Sequence, residues 1–515
     1  MNGTMFCFQC QECCDNRGCT AGGRCGKPPE VANLMDLLLQ QLKILAISRN
    51  PTPELGRITA QTLFLTVTNT NFEIERLREQ LVLLQELNPG SIVSAPHGVL
   101  ATPDEDIRSL REFLTYAVKG IAAYSEHAAR LGKEDLEIWQ FIFNAFRAVC
   151  SPLPEEELFA LLYEAGKFSV KAMALLDEAH RERYGSPRMS SVNTGVGTRP
   201  GILVSGHDLR DLEELLEQSK NAGTDIYTHG EMLPAHAYPE LKKYPHLYGN
   251  YGNSWYRQQS EFESFNGAIL MTSNCIVPVR ESYRERMFTT GMAGFPGVAH
   301  IPDGKDNGAK DFSAVIAKAL QCPPPSPVER KGKLVCGFGH EQLSLLTGKI
   351  VAAVKRGTIR RFVVMAGCDG RHESREYYTR FAEMLPRDTV ILTAGCAKYR
   401  YNKLKLGKIA GIPRVIDAGQ CNDCYSLLLL VHELVKEFKV KDLNTLPISF
   451  DIAWYEQKAV AVAAALLYCG VKNIRLGPTF PAFFSGKVTG VLQERYNLKT
   501  ISTPEADVEA VMKGE

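Results

Sequence analysis

Six cysteines fall within the nineteen residues from Cys7 to Cys25: Cys7, Cys10, Cys13, Cys14, Cys19 and Cys25. Their neighbours are polar or glycine. Such a segment cannot build a hydrophobic core, so an inorganic group is expected to tie it down. Read as Cys7, Cys10, Cys19 and Cys25, the spacing is Cys-x2-Cys-x8-Cys-x5-Cys. Structural zinc sites use two tight pairs, and Cys19 with Cys25 is not one. An iron–sulfur cluster whose electrons are used elsewhere in the chain is the better chemistry, with zinc the alternative. Cys13 and Cys14 could substitute as ligands, and the spacing leaves open which four bind.

A second set of reactive side chains is dispersed, each following a short apolar run. Residues 201–205 lead into Gly206-His207-Asp208, 224–227 into Thr228-His229-Gly230-Glu231, and 268–271 into Asn274-Cys275. Further on, 361–365 leads into Gly367-Cys368-Asp369, 389–393 into Gly395-Cys396, 414–416 into Gly419-Gln420-Cys421, and 448–453 into Trp454-Tyr455-Glu456-Gln457-Lys458. If the runs are strands of open α/β sheets, their carboxyl ends are where ligands bind. Four thiolates, two carboxylates and an imidazole exceed the needs of one tetrahedral zinc. A mixed soft and hard set suits a multi-iron cluster with both sulfur and oxygen bridges. Glycine beside several of these residues would admit close approach of the backbone to a bulky group. Singly, each has a plainer reading: a buried small hydrophobe for cysteine, a surface or helix-capping carboxylate for Glu231 and Glu456. Cys150, Cys322, Cys336 and Cys469 lie in apolar or linker surroundings and read as structural. Cys424 makes Cys-x-x-Cys with Cys421 and reads as a bystander close to the site.

The elements that position these residues follow from periodicity. Apolar residues at helical spacing predict helices over 28–45, one or two over 52–88, then 104–131, 135–150 and 155–183. Ile107, Leu110, Leu114, Ala117 and Ile121 form one apolar stripe of the third of these stretches. Residues 185–200 break the pattern and read as a linker, and Pro323-Pro324-Pro325-Ser326-Pro327 as a second. Between and after them short apolar runs alternate with helical stretches, including 298–301, 334–336 and 473–476. This predicts mostly parallel sheets covered by helices. The division expected is a helical bundle headed by the cysteine segment (1–187) and two α/β domains (188–328 and 329–515).

A net charge of +1 over 515 residues leaves no electrostatic footprint for nucleic acid. No apolar run of membrane-spanning length is read, and residues 1–25 lack a signal peptide's charged and apolar regions. The expected setting is therefore the cytoplasm, with neither membrane nor nucleic acid as partner. Disulfides rarely persist there, so fifteen cysteines call for metal ligation, redox chemistry or burial.

Together these residues resemble the hybrid-cluster proteins, also called prismane proteins or hydroxylamine reductases, over nearly the whole chain. The likeness rests on Cys7-Phe8-Gln9-Cys10-Gln11, Gly206-His207-Asp208-Leu209, Tyr227 through His236, Gly249 through Asn253, and Asn274-Cys275. It continues through Gly367 to Gly370, Cys396 to Arg400, Asp417 to Asp423 and Trp454 to Lys458. The resemblance implies a helical domain followed by two Rossmann-like domains, with a hybrid [4Fe-2O-2S] cluster where they meet. It assigns that cluster to His207, Glu231, Cys275, Cys368, Cys396, Cys421 and Glu456. Cys368 would be modified to a persulfide, and Lys458 would belong to the same site. It assigns a [4Fe-4S] cluster to Cys7, Cys10, Cys19 and Cys25, with Cys13-Cys14 a departure from the pattern. The activity implied is reduction of hydroxylamine, with nitric oxide a related candidate and electrons from an external donor protein. The alternatives are a nitric-oxide-binding redox sensor and a nickel–iron carbon monoxide dehydrogenase-like enzyme.

Overall fold

The computed structural model describes residues 4–88, 94–305 and 308–515. Six helices occupy the N-terminal third: α1 (Pro29–Ser48), α2 (Pro53–Leu65), α3 (Ile74–Leu87), α4 (Glu105–Arg130), α5 (Leu136–Cys150) and α6 (Glu155–Tyr184). Their starts have local causes. Pro29 and Pro53 sit in first turns, where a backbone donor is not needed, and Thr52, Asp104 and Asp135 accept from first-turn amides. By length and composition α1 could cross a membrane, with a mean hydropathy of 1.3 over its best window. That corrects the expectation that no segment reaches such a length. The helix instead packs into the bundle, burying Leu38, Leu42 and Leu45.

α4 departs from the single stripe that its periodicity suggests: from Phe113 to Ala128 every residue is buried. The cause is a helix from far down the chain, Gln457–Tyr468, which lies against both α4 and α6. Two glycines let it in. A Cβ on Gly120 would stand 2.5 Å from the Gln457 carbonyl oxygen, and one on Gly166 would stand 2.2 Å from that of Ala464. A Gly166→Ala variant is therefore expected to lose about 1–3 kcal/mol, read as a lower denaturation midpoint.

Two parallel sheets follow, and their buried strands show that both faces are covered. The first has six strands in the order Leu247–Asn250, Asp225–Thr228, Gly201–Ser205, Ala268–Met271, Met287–Thr290 and Ala299–Ile301. The second has five, ordered Val415–Asp417, Thr389–Thr393, Arg361–Val364, Ile448–Ala453 and Ile474–Gly477. The order reverses direction between Gly201–Ser205 and Ala268–Met271 in one sheet, and between Arg361–Val364 and Ile448–Ala453 in the other. These reversals are where ligands bind in such folds. His207, Cys275, Cys368 and Glu456 all follow strands that flank one.

One strand reading fails. Lys333–Cys336 pairs antiparallel with Ser190–Asn193 in a separate two-stranded ribbon and joins neither sheet. Its side chains alternate between exposed and buried, the habit of a ribbon with one wet face, whereas the sheet strands Gly201–Ser205 and Thr389–Thr393 are buried throughout. Residues 185–200, read as linker, supply the other strand of that ribbon.

Candidate metal centre

The loops beyond the strand ends of the two sheets face each other and line one cavity. His207, Glu231, Cys275, Cys368, Cys396, Cys421 and Glu456 all line it, together with Trp255, Asn274 and Tyr455. Donor atoms of His207, Glu231 and Cys421 lie within 4.8 Å of one another, the only such trio found among the described residues. Lys458 reaches in from the first turn of the Gln457–Tyr468 helix, its Nζ 3.1 Å from His207 Nε2 and 2.8 Å from Asn274 Oδ1.

The cavity wall is held by hydrogen bonds between loops. Gln420 Nε2 donates to the carbonyls of His207 and Glu231, both at 2.9 Å, and Cys421 N donates to Glu231 Oε2 at 2.9 Å. One residue of the second sheet thereby fixes two loops of the first. His207 Nδ1 bonds Ser273 Oγ at 2.9 Å, which directs Nε2 into the cavity. Two of the sulfurs accept local bonds: Cys396 from Asp369 N at 3.1 Å, and Cys275 from Asn274 Nδ2 at 3.3 Å. Glu456 joins both of its readings. It caps the helix through Lys458 N to Oε2 at 2.9 Å, and it also lines the cavity. At Gly367 (φ +110°) a Cβ would meet the Ala453 carbonyl oxygen at 2.0 Å. The glycine serves the packing of one loop on the next, a different reason from approach to a bulky group.

Burial sets the electrostatics of the cavity. Burial pushes Cys421 up to about 12 and raises Cys275, Cys368 and Cys396 as well. Burial also pushes Glu231 up to about 7, against the pull of Lys398 and Lys458, and raises Glu456. Burial and then the Lys458 ammonium hold His207 well below the usual imidazole range, so its ring is neutral. Burial opposes the charge of Lys458 itself, but Cys421 and Glu456 beside it raise its pKa. Glu231 Oε1 is buried without a hydrogen-bond partner. Soft sulfur donors, hard oxygen donors and a neutral imidazole around one cavity fit a multi-iron group with sulfur and oxygen ligands, and metal binding would displace the thiol protons.

The N-terminal segment folds back on itself through a two-way bond: Cys7 N to Cys19 O at 3.0 Å and Cys19 N to Cys7 O at 2.8 Å. Cys10, Cys13, Cys19 and Cys25 are buried, whereas Cys7 and Cys14 are partly exposed. Cys14 N points at Cys19 Sγ across 3.4 Å. One tetrahedral zinc would hold its sulfurs about 3.8 Å apart, at Zn–S distances of about 2.3 Å. No three cysteine sulfurs in this segment close to within 4.8 Å among the described residues.

This segment docks directly on the cavity wall. Gln11 N donates to Tyr455 O at 3.0 Å and Gln457 Nε2 to Gln9 O at 2.6 Å. Arg371 Nε and Nη2 clamp Glu12 Oε2 at 2.9 and 2.7 Å. Arg375, wholly buried, donates to Gln11 Oε1 at 2.8 Å, Cys368 O at 3.1 Å and Trp454 O at 2.6 Å. It joins the cysteine segment to two cavity loops. Arg375→Met would orphan all three acceptors, an expected loss of about 3 kcal/mol or more. The denaturation midpoint and the iron retained would both fall.

The Prismane/CO dehydrogenase family profile matches residues 5–509. This chain belongs to that family. It is 53% identical to a hydroxylamine reductase from Halothermothrix orenii, over 99% of this chain and all of that one. It is 52% identical, with the same coverage, to a hydroxylamine reductase from Nitratidesulfovibrio vulgaris. Among solved structures it shares its fold with a nickel-free carbon monoxide dehydrogenase from Thermococcus sp. AM4. There the TM-score is 0.61 at 17% identity, covering 98% of this chain and 90% of the other. Carbon monoxide dehydrogenase IV from Carboxydothermus hydrogenoformans gives 0.61 at 16%, covering 98% and 92%. Asn274, Gln420 and Tyr455 stand inside the motifs quoted from the sequence but were not read as site residues there. Trp255, Ser273 and Arg375 lie outside those motifs, and their place at the site comes from the fold.

Proposed function

We propose that this chain is an iron–sulfur oxidoreductase that reduces hydroxylamine: NH2OH with two electrons and two protons gives NH3 and H2O. The observation that carries the reading is the gathering of seven strand-end donors around one buried cavity. It occurs in a chain 52–53% identical, over its full length, to proteins named hydroxylamine reductase. We assign a hybrid [4Fe-2O-2S] cluster to His207, Glu231, Cys275, Cys368, Cys396, Cys421 and Glu456, with the persulfide on Cys368. We assign a [4Fe-4S] cluster, fed by an external donor protein, to Cys7, Cys10, Cys19 and Cys25. Cys14 would then act through its backbone N–H toward Cys19 rather than as a ligand. The reading also keeps the division at 1–187, 188–328 and 329–515. A cytoplasmic setting agrees with fifteen unpaired cysteines.

When bound, the hybrid cluster supplies Lewis acidity and stored electrons. The chain's own residues do the rest. Lys458 holds an ammonium at the cavity wall beside His207, placed to protonate the oxygen that leaves as water. Asn274 Oδ1 orients that ammonium. Glu231 and Glu456 are hard, exchangeable donors that can yield a position to substrate. Trp255 and Tyr455, with ring centroids 4.5 Å apart, give the cavity an apolar wall.

Anaerobic turnover with reduced viologen and hydroxylamine tests this reading. One ammonia should appear for every two viologens oxidised. Unchanged hydroxylamine with both clusters intact would sink it. Metal analysis should find iron without stoichiometric nickel. Stoichiometric nickel with oxidation of CO would favour the carbon monoxide dehydrogenase reading instead, and tight nitric oxide binding without turnover the sensor.

A further inference from the structure

Two buried lysines stand beside the N-terminal cysteines and take no part in the chemistry described so far. Lys119, in the middle of α4, is 2% exposed, and Lys27, two residues past Cys25, is 3% exposed. Lys119 Nζ donates to Gln9 Oε1 at 2.8 Å and, more weakly, to Thr66 O at 3.4 Å. Gln9 lies between Cys7 and Cys10. Lys27 Nζ is 3.0 Å from Met35 Sδ, a poor acceptor for a cation. Among the described residues neither amine has a carboxylate within 4.0 Å, whereas the buried Lys310, Lys398, Lys458 and Arg475 each do.

A buried ammonium needs an opposite charge nearby, and here the protein alone supplies little. Asp36 and Glu112 act on Lys119 only through space, with no carboxylate oxygen within 4.0 Å of its amine. Burial and then the like charge of Lys27 hold Lys119 down to about 8, while Cys7 works in the opposite direction. The anion that would satisfy both amines is therefore expected at the cysteines.

We propose that Lys27 and Lys119 are the built-in counter-charges of the N-terminal cluster. Four thiolates around an oxidised cubane core make a dianion, and its reduction adds a third negative charge. Two fixed ammonium groups neutralise the oxidised state and favour the added electron, so this segment accepts reducing equivalents readily from its donor. The two lysines are positioning residues for charge and touch no substrate. The inference rests on the [4Fe-4S] reading of Cys7, Cys10, Cys19 and Cys25.

The test is a redox titration of anaerobically purified full-length protein, followed by electron paramagnetic resonance, comparing wild type with Lys119→Met, Lys119→Gln and Lys27→Met. Removing either charge should lower the reduced-to-oxidised ratio of the N-terminal cluster about tenfold at a fixed poise. That is about 59 mV for a one-electron couple. The signals of the seven-ligand centre should titrate where they do in wild type. Lys119→Gln keeps a hydrogen-bond donor, so a shift there isolates charge from hydrogen bonding. Lys27→Met provides the same reading if the substitutions in α4 fail to fold. Unchanged midpoints in Lys119→Gln and Lys27→Met, with the cluster present, would overturn the proposal alone. A wild type that holds the other centre's iron but shows no N-terminal cluster signal would overturn the reading beneath it, and the proposal with it.

Discussion

Cys421→Ala should abolish hydroxylamine reduction and strip the multi-iron centre of its metal while leaving the N-terminal cluster in place. Cys421 supplies one of three donor atoms drawn within 4.8 Å of one another. The substitution removes that sulfur without dismantling the loop. Cys421 N would still bond Glu231 Oε2, and Gln420 would still hold the carbonyls of His207 and Glu231. The reciprocal cap between Gln420 and Asp423 also survives. A lost ligand, rather than a lost fold, is therefore what the measurement reports. Iron per chain should drop by the centre's share, and turnover should fall by about a thousandfold or more, beyond the effect of losing an outer-shell partner alone. Normal iron content with normal turnover would mean that Cys421 is packing.

Lys458→Met should retain both clusters and lose most of its rate. The removed ammonium stands 3.1 Å from His207 Nε2 and 2.8 Å from Asn274 Oδ1, directly behind two residues of the cavity wall. Loss of a positioned acid typically costs about 10²–10⁴ in rate. The deficit is expected in kcat, with iron content and cluster spectra close to wild type. The sign of the pH dependence follows from the direction of its pKa. Cys421 and Glu456 raise Lys458 above the usual lysine range despite its burial. The wild-type ammonium is thus charged throughout the neutral range, and its loss would slow turnover only at strongly alkaline pH. Lys458→Arg keeps a charge but not the compact geometry, and should recover only part of the rate. A Lys458→Met enzyme at full rate would leave proton delivery to another group.

What was legible in the sequence was the part encoded locally. A β run ending in Gly-Cys or Gly-His-Asp announces a strand end whatever the rest of the chain does. The predicted runs from 201–205 to 473–476 therefore match observed strands to within about one residue. The exception, Lys333–Cys336, has a strand's local pattern, but a pattern cannot say which partner it finds. What was illegible depends on contacts remote in sequence. Arg375 meets Gln11 across 364 positions, and Gln457 meets Gln9 across 448. Neither side chain carries a motif. The alanine-rich Gln457–Tyr468 helix reads as a cover for a sheet, yet it completes the N-terminal bundle and so brings Glu456 and Lys458 to the cavity. Glu456, read alone, is a capping carboxylate. It does cap a helix, and its place in the cavity wall emerges only once the two sheets face each other.

The central claim is that one multi-iron centre lies among seven donors from two sheets, separate from an N-terminal cluster. Anomalous scattering at the iron edge from anaerobically grown crystals tests it most directly. The account predicts two groups of iron peaks. One should lie within bonding distance of His207, Glu231, Cys275, Cys368, Cys396, Cys421 and Glu456, and the other within reach of Cys7, Cys10, Cys19 and Cys25. A single metal ion at His207, Glu231 and Cys421, or no iron signal in the cavity of an active enzyme, would contradict it.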